Sequence, residues 1–406
     1  MRIAFIAPYV SNRAGPARVI ANLIDKLCED HQITVFAHAV EGIRLTNVKH
    51  CKVPGAVSNK LLGYVVWLIS STLFMAIFFL FRKKRYDIIH SQTYLGAFSA
   101  DVITSHFCER ECLRLEKNHT IQIPRRGIWQ RFKALDDSLY RRLMVFAEKA
   151  AFGRKTNRAR VVVSQRMKED FIRNYGDSAR DILVIPNGVS LEAFTPATKQ
   201  LWRDSVRKKH GIAGNDLLLL FAGGDWERKG LRYVIEALSL LQRSDVRLLI
   251  SGRGDERFYS QLAASKEVSD RIAFVSSSAD ICQYYGASDV FVFPTLYEPF
   301  GLVILEAMAS GLPVITSRVA GAAEFMNDGD DCLLLDDPAD AGAIADKINL
   351  LLSDHELRNS MGRRARITAE KLSWEMVAEK TLQVYNSVLE RKKGQVFKNA
   401  ERLASG

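Results

Sequence analysis

The chain has 406 residues, is 48% hydrophobic and 25% charged, and holds ten prolines. These values exclude a disordered, collagen-like or coiled-coil protein and fit two or three domains, each burying a core of its own. The net charge of +11 is uneven: residues 1–190 hold 30 Lys+Arg against 16 Asp+Glu, the remainder 27 against 30. An excess confined to one half points to an acidic partner there: nucleic acid, a phosphate-bearing substrate or an anionic membrane.

Met1 leads straight into the strand pattern RIAFIAP, which argues against a secretory signal, so Asn118-His119-Thr120 is not read as a glycosylation site. Strands are predicted over Arg2–Ala7, Ile33–Ala37, Tyr86–His90, Val102–Ser105, Val161–Ser164 and Ile182–Ile185, with helical stretches near 17–29, 60–82, 128–152 and 165–175. This alternation implies βαβ units and a parallel sheet, and strands apolar on both faces fit helices covering each side. Residues 61–81 carry no charge and precede Arg-Lys-Lys-Arg at 82–85. Their length suits a membrane span. A span between two strands would cut the sheet, so the segment is read as a buried or surface-docked helix. The six scattered cysteines suit a reducing, cytoplasmic setting, and Cys108 and Cys112, near His106, read as a thiol pair on a helix rather than a metal site.

Pro186-Asn187-Gly188 marks a turn, after which strand patterns restart at 217–223, 246–252, 271–275, 289–294, 313–316 and 331–335. Helical patterns at 338–352, 355–370 and 374–392 follow, and the basic tail from Arg391 is expected to fray. The fold class is α/β: two Rossmann-like doubly wound domains, 1–190 and 191–373, facing across a cleft at the carboxyl ends of their strands, where ligands bind in such sheets.

Two stretches carry chemistry. Glu298 and Glu306 lie in strand–PTLYEPFG–helix–SGLPVI, which sets Pro299, Phe300 and Gly301 on a strand-to-helix turn and Leu302 at the helix start. Backbone N–H groups at such a start favour an anion, and the two carboxylates suit sugar hydroxyls. Gly223-Gly224 and then Arg228-Lys229-Gly230 follow another strand and precede a helix, a pattern for clamping a diphosphate. The one Asp-x-Asp, Asp328-Gly329-Asp330, lies within Asp328–Asp331 and reads as turn residues, so no metal or cofactor is expected.

These motifs, in this order and spacing, closely resemble those of the family-4-type retaining glycosyltransferases, which have the GT-B fold. Residues 182–194 resemble the family's interdomain strand and loop, and residues around Trp374 and Tyr385 look like its C-terminal helix, packed back on the first domain. The resemblance implies that Arg228 and Lys229 hold the diphosphate, Glu298 the donor sugar and Glu306 the nucleotide ribose. It places Gly252-Arg253 near the base and ribose, and His106, at the end of a strand, against the donor sugar. It also implies that Gly15, in the first βα turn, lets backbone approach phosphates or acceptor. Arg18, His90 and Glu109 are the acceptor-contact candidates.

The activity implied is transfer from a UDP- or GDP-sugar to a glycan or lipid-linked acceptor, with retention by front-face attack. The basic first domain, with residues 61–85 and the runs Arg125-Arg126, Arg141-Arg142 and Arg154–Arg160, suggests a peripheral enzyme on an anionic membrane face. No G-x-G-x-x-G fingerprint follows the first strand, against a nicotinamide oxidoreductase. Aromatics do not interleave with the basic runs, against nucleic acid. A sugar-nucleotide epimerase or a phosphorylase of the same fold stays open on the residues alone.

Overall fold

The apolar runs form the strands of two parallel sheets. The computed structural model describes all residues except 14, 44–46, 55–59, 82–85, 95–99, 118–127, 154–157, 276–279 and 405–406. The chain divides into two compact units. One draws on Met1–Arg114, Pro124–Pro186 and Trp374–Gly406, and the other is built on Asn187–Ser373.

The first unit holds β1 (Arg2–Ile6), β2 (Tyr9–Ser11), β3 (Gln32–Ala37), β4 (Ala39–Glu41), β5 (Val48–Lys52), β6 (Ile88–Ser91), β7 (Val102–Ser105), β8 (Ala159–Val162) and β9 (Leu183–Val184). Seven form one sheet in the order β5-β3-β1-β6-β7-β8-β9, every pair parallel, and β2 pairs with β4 beside it. Its helices are α1 (Gly15–Leu27), α2 (Lys60–Phe81), α3 (Glu109–Lys117), α4 (Ile128–Phe152) and α5 (Gln165–Tyr175). Residues 61–81 thus form one helix, α2, in which Trp67 and Ser71 are buried while Leu62, Ile69 and Leu73 are exposed. Among the described residues no helix is long and apolar enough to cross a membrane.

The second unit holds α6 (Thr198–Lys209), β10 (Leu217–Ala222), α7 (Leu231–Leu240), β11 (Val246–Ser251), α8 (Glu256–Ser265), β12 (Ile272–Val275), α9 (Cys282–Ala287), β13 (Val290–Phe293), α10 (Leu302–Ala309), β14 (Val314–Ser317), β15 (Leu333–Leu335), α11 (Ala341–Ser353) and α12 (His355–Glu370). The sheet order is β12-β11-β10-β13-β14-β15, the doubly wound order whose direction reverses at β10 and β13. Leu218, Leu219, Leu220 and Phe221 are wholly buried, as a strand covered on both faces requires. Asp255, Asp340 and Asp354 cap α8, α11 and α12, each accepting a backbone N–H at 2.8–3.0 Å. Each such cap contributes about 1 kcal/mol.

Three differences from the sequence reading have physical causes. The strand predicted from Val161 starts at Ala159, because the charged Arg160 sits inside β8, buried, donating to the Phe152 carbonyl at 2.9 Å and paired with Asp181. Arg160 therefore does not join a membrane-facing basic run; 82–85, Arg125-Arg126 and 154–157 lie outside the described residues. The tail expected to fray continues α13 (Trp374–Ala404), a stretch of good helix formers without proline. Helix α13 is tied to the first unit by Lys26–Glu375 at 2.5 Å and Lys392–Asp101 at 2.8 Å.

Candidate active site

In a doubly wound sheet the ligand crevice lies outside the carboxyl ends of the strands at the switch point, here the ends of β10 and β13. The loops leaving these two strands are the two motif-bearing stretches. After β10 the chain turns at Gly223, with φ of 126°, and reaches α7 through Gly230. Gly223 has no side chain for a reason: a Cβ there would collide with the Lys229 ammonium. The Gly223 carbonyl accepts the Trp226 indole N–H at 2.9 Å, and a Cβ on Gly252 would strike that same carbonyl. The loops after β10 and β11 are thus packed on one another, with Trp226 buried beneath.

After β13 the loop is held by hydroxyls. Ser317 donates to the Thr295 carbonyl at 2.6 Å and Thr295 to the Tyr297 carbonyl at 3.1 Å, while the Leu296 N–H donates to the Arg228 carbonyl at 2.8 Å. Pro299 and Phe300 are buried, and Gly301, with φ of 102°, turns the chain into α10.

Four charged groups meet there. Arg228 Nε donates to Asp225 at 2.6 Å, and its guanidinium donates to the Tyr297 carbonyl and to Glu298 Oε2, the latter at 3.4 Å. Lys229 Nζ lies 4.0 Å from Glu298 Oε2 and 5.3 Å from the Phe293 ring centroid. Only 13% of the Lys229 side chain is exposed, and its ammonium makes no hydrogen bond among the described residues. Burial holds its pKa below the ordinary lysine value, opposed by Glu298. A largely desolvated cation with unused N–H donors, beside a guanidinium and a helix start, is a seat for an anion.

Glu306 points inward, 3% exposed, and accepts the Tyr285 hydroxyl at 3.0 Å. Leu302 opens α10 about one turn before it and is half-buried, while Gly224 and Arg253 stand at the surface of the glycine loops. Arg253 makes no ion pair. The Asp328–Asp331 segment is a turn: Asp328 accepts the Leu334 N–H and pairs with Arg318, and Asp331 accepts from Thr368.

In the first unit, His106 follows β7 and donates Nε2–H to Gln92 Oε1 at 2.8 Å, which leaves Nδ1 buried without a partner. Gln92 Nε2 lies 3.2 Å from His90 Nε2, and His90 also meets Thr104 at 2.7 Å and the Tyr385 hydroxyl of α13 at 2.7 Å. His90 is thus not an open acceptor contact: it is 2% exposed and both its nitrogens are engaged within the protein. Burial lowers the pKa of His106 to about 4. For His90, burial and then His106 lower it to about 3.

Glu109 begins α3, whose first N–H groups at Glu109 and Arg110 are capped by the buried Glu148 at 2.6 and 3.3 Å. Tyr94 and Tyr175 also donate to Glu148, at 3.0 and 2.7 Å. Gly15, exposed with φ of 59°, starts α1, and Arg18 lies in its first turn, half-buried. Sequence reasoning missed Asp225, Gln92, Glu148 and Tyr285. Asp225 had a signal, three residues before Arg228; Gln92 had none beyond lying two residues after His90, and Glu148 and Tyr285 had none, since their partners are distant in sequence.

Two family models match the chain. The model described as Glycosyltransferase Family 4 matches residues 13–193, and that described as Glycosyl transferases group 1 matches residues 203–368. The chain belongs to the family-4-type glycosyltransferases of GT-B fold. A curated member of the family, the D-inositol 3-phosphate glycosyltransferase of Pseudarthrobacter chlorophenolicus, is 34% identical over 55% of this chain. The match spans only 54% of that relative's own length. The lipopolysaccharide glucosyltransferase WaaG of Escherichia coli is 27% identical over 62% of this chain and 68% of its own. A crystal structure of WaaG superposes with a TM-score of 0.76 at 21% identity, covering 94% of this chain and 99% of that one. HepE of Anabaena, solved with UDP-glucose, gives 0.71 at 19% identity over 95% and 100%. At such identities these likenesses concern the fold.

Proposed function

We propose that this family member is a retaining glycosyltransferase that moves a hexose from a nucleotide-diphosphate sugar to a hydroxyl of a glycan or lipid-linked acceptor in cell-envelope polysaccharide or glycolipid synthesis. The observation that carries the reading is the pair Arg228 and Lys229 beside Glu298 at the switch point of the second sheet, with the Lys229 ammonium desolvated and unbonded. A UDP-sugar is the donor favoured, since a protein of the same fold, HepE, was solved in complex with UDP-glucose.

In this reading Arg228 and Lys229 hold the diphosphate and neutralise the charge that grows on it as the bond to the anomeric carbon breaks. Such preorganised charge is often the largest single part of a catalysed barrier. It also replaces the positive charge a metal would bring, so no cofactor is invoked. Gly223, Gly224 and Gly301 let backbone N–H groups approach the phosphates. Glu298 binds donor-sugar hydroxyls, Glu306 the ribose, and Gly252 and Arg253 the nucleoside. His106, neutral with Nδ1 free to accept, takes a hydrogen bond from a hydroxyl of the donor sugar. The acceptor oxygen attacks on the face the diphosphate leaves, and its proton passes to the departing phosphate oxygen.

Gly15, Arg18 and Glu109 belong to the acceptor side, and His90 positions His106 through Gln92. The exposed Leu62, Ile69 and Leu73 recur on one face of α2, which supports peripheral attachment to the cytoplasmic face of a membrane.

A thermal-shift panel of nucleotide sugars tests the donor assignment. UDP-glucose or another UDP-sugar should raise the melting point, because a ligand that binds only the native state stabilises it by mass action. The rise should vanish in Lys229→Ala. No rise with any nucleotide sugar overturns the reading.

A further inference from the structure

The second unit has a pocket at the opposite strand ends of its sheet from the glycine loops. It is lined by Asp216 and Leu217 at the start of β10, Asp289 just before β13 and Pro313 just before β14. All strands of this sheet run the same way. The six residues of β10, at about 3.3 Å each, therefore separate the pocket from Gly223 by roughly 20 Å. The cavity is about 530 Å³, the size of a small-molecule site.

Its walls are cationic. Lys199 and Arg363 stand exposed at the rim, with Arg203, Arg358 and Arg366 half-buried inside. The only lining carboxylates, Asp216 and Asp289, are already committed. Asp289 accepts Arg207 at 2.6 Å and Arg203 at 2.9 Å, and Asp216 pairs with Arg247 at 3.0 Å. Arg358 donates to the Leu351 carbonyl near the end of α11, at 2.8 Å, and among the described residues pairs with no acid. Lys199 and Arg363 likewise have no ion-pair partner among the described residues. The cations crowd one another: the Lys199 pKa is lowered by partial burial and then by the Arg203 guanidinium. Within the wall lies Ser310, 7% exposed, whose hydroxyl has no hydrogen-bond partner at all. Three unpaired cations around a buried, unused hydroxyl define an anion site with one neutral polar contact.

We propose that this pocket binds a small phosphate ester, at a site separate from the glycine loops of the same unit. The cations take the phosphate and the remaining volume takes the carbon skeleton, with Ser310 donating to one of its oxygens. Tyr285, also in the wall, links the pocket to Glu306 through its hydroxyl. The proposal stands independently of the transferase reading.

The test is calorimetric titration of the full chain with a hexose 6-phosphate, inorganic phosphate and the unphosphorylated hexose, in three variants beside the parent. The rim variant Lys199→Gln with Arg363→Gln changes only exposed side chains, so its fold is not at stake. Ser310→Ala removes the unused hydroxyl, and Lys229→Met removes the cation of the glycine loops. Expected are binding of the ester but not of the bare hexose, at least tenfold weaker binding in the rim variant, several-fold weaker in Ser310→Ala, and unchanged binding in Lys229→Met. Loss in Lys229→Met with retention in the rim variant overturns the proposal, because the ester then sits in the glycine loops. Equal affinity for inorganic phosphate and the ester also overturns it, as does the absence of any binding.

Discussion

The two units build their sites differently on the same kind of sheet. In the second, charged groups from two adjacent loops meet directly: Arg228 and Lys229 lie 3.4 and 4.0 Å from Glu298 Oε2. In the first, a neutral histidine is held by a chain of contacts, His106–Gln92–His90–Tyr385, drawn from two strand ends and the last helix. A charged cluster takes its effect from desolvation and tolerates little change of charge. A relay of neutral groups takes its effect from orientation, and errors enter through its distant members.

The sharpest way to break this contrast is at the charged cluster. Lys229→Ala and Arg228→Ala should each lower turnover about a hundredfold in steady-state assays, the loss seen when a preorganised electrostatic group is removed. Wild-type rates in either variant would remove that role.

The relay should respond in stability as well as rate. Tyr385→Phe deletes one hydroxyl and leaves His90 Nδ1 buried and unpaired, which costs about 1–3 kcal/mol in urea unfolding. Turnover should fall with it, by less than in Lys229→Ala. Unchanged stability would mean that the hydroxyl holds nothing in place.

The titration of the imidazoles separates the units further. NMR should find His106 and His90 neutral at pH 6, with midpoints near 4 and 3. Because their folded values lie below the unfolded 6.5, the stability they contribute is present above pH 6.5. It is lost as the pH falls toward those midpoints, at up to about 1.4 kcal/mol per unit for each. Asp170, raised by burial to about 6, acts with the opposite sign between pH 6 and 3.8. Asp170→Asn should therefore steepen the acid loss. A midpoint near 6.5 for His106 would contradict the buried environment drawn here.

The smallest effect concerns α2. Replacing Leu62, Ile69 and Leu73 together by Gln should weaken flotation with anionic vesicles a few-fold while leaving the melting point unchanged, since all three are exposed. Equal flotation would assign any attachment to the basic residues alone.

The second unit was the more legible of the two in sequence. Its strands read as apolar runs, and its site comes from contiguous motifs: PTLYEPFG and the Gly223–Gly230 loop place their own side chains, because a short loop between strand and helix leaves little conformational choice. In the first unit six of the nine described strands were legible; the short β2 and β4, the polar β5 and the network were not. His106 stood out as a histidine ending a strand. Its support rests on Gln92, an unremarkable loop residue, and on Tyr385, 295 residues from His90. Arg160 shows the same limit: a charge inside a strand reads as surface until its partner Asp181 is seen. Glu148, an acid near the end of α4, gave no hint that it caps another helix. Side chains whose partners are local can be read from order and spacing; those satisfied across the fold cannot.

Helix α13 has a consequence for how the molecule is made. The first unit is discontinuous, since its last helix is translated after the whole second unit, while Asn187–Ser373 is one unbroken stretch. At about 5–20 residues per second on a ribosome, His90 emerges roughly 15–60 s before Tyr385 exists to meet it. The second unit can therefore complete its core during synthesis, whereas the first closes only once α13 has followed the whole second unit out of the ribosome. A fragment ending at Pro186 would lack the helix that finishes its own domain.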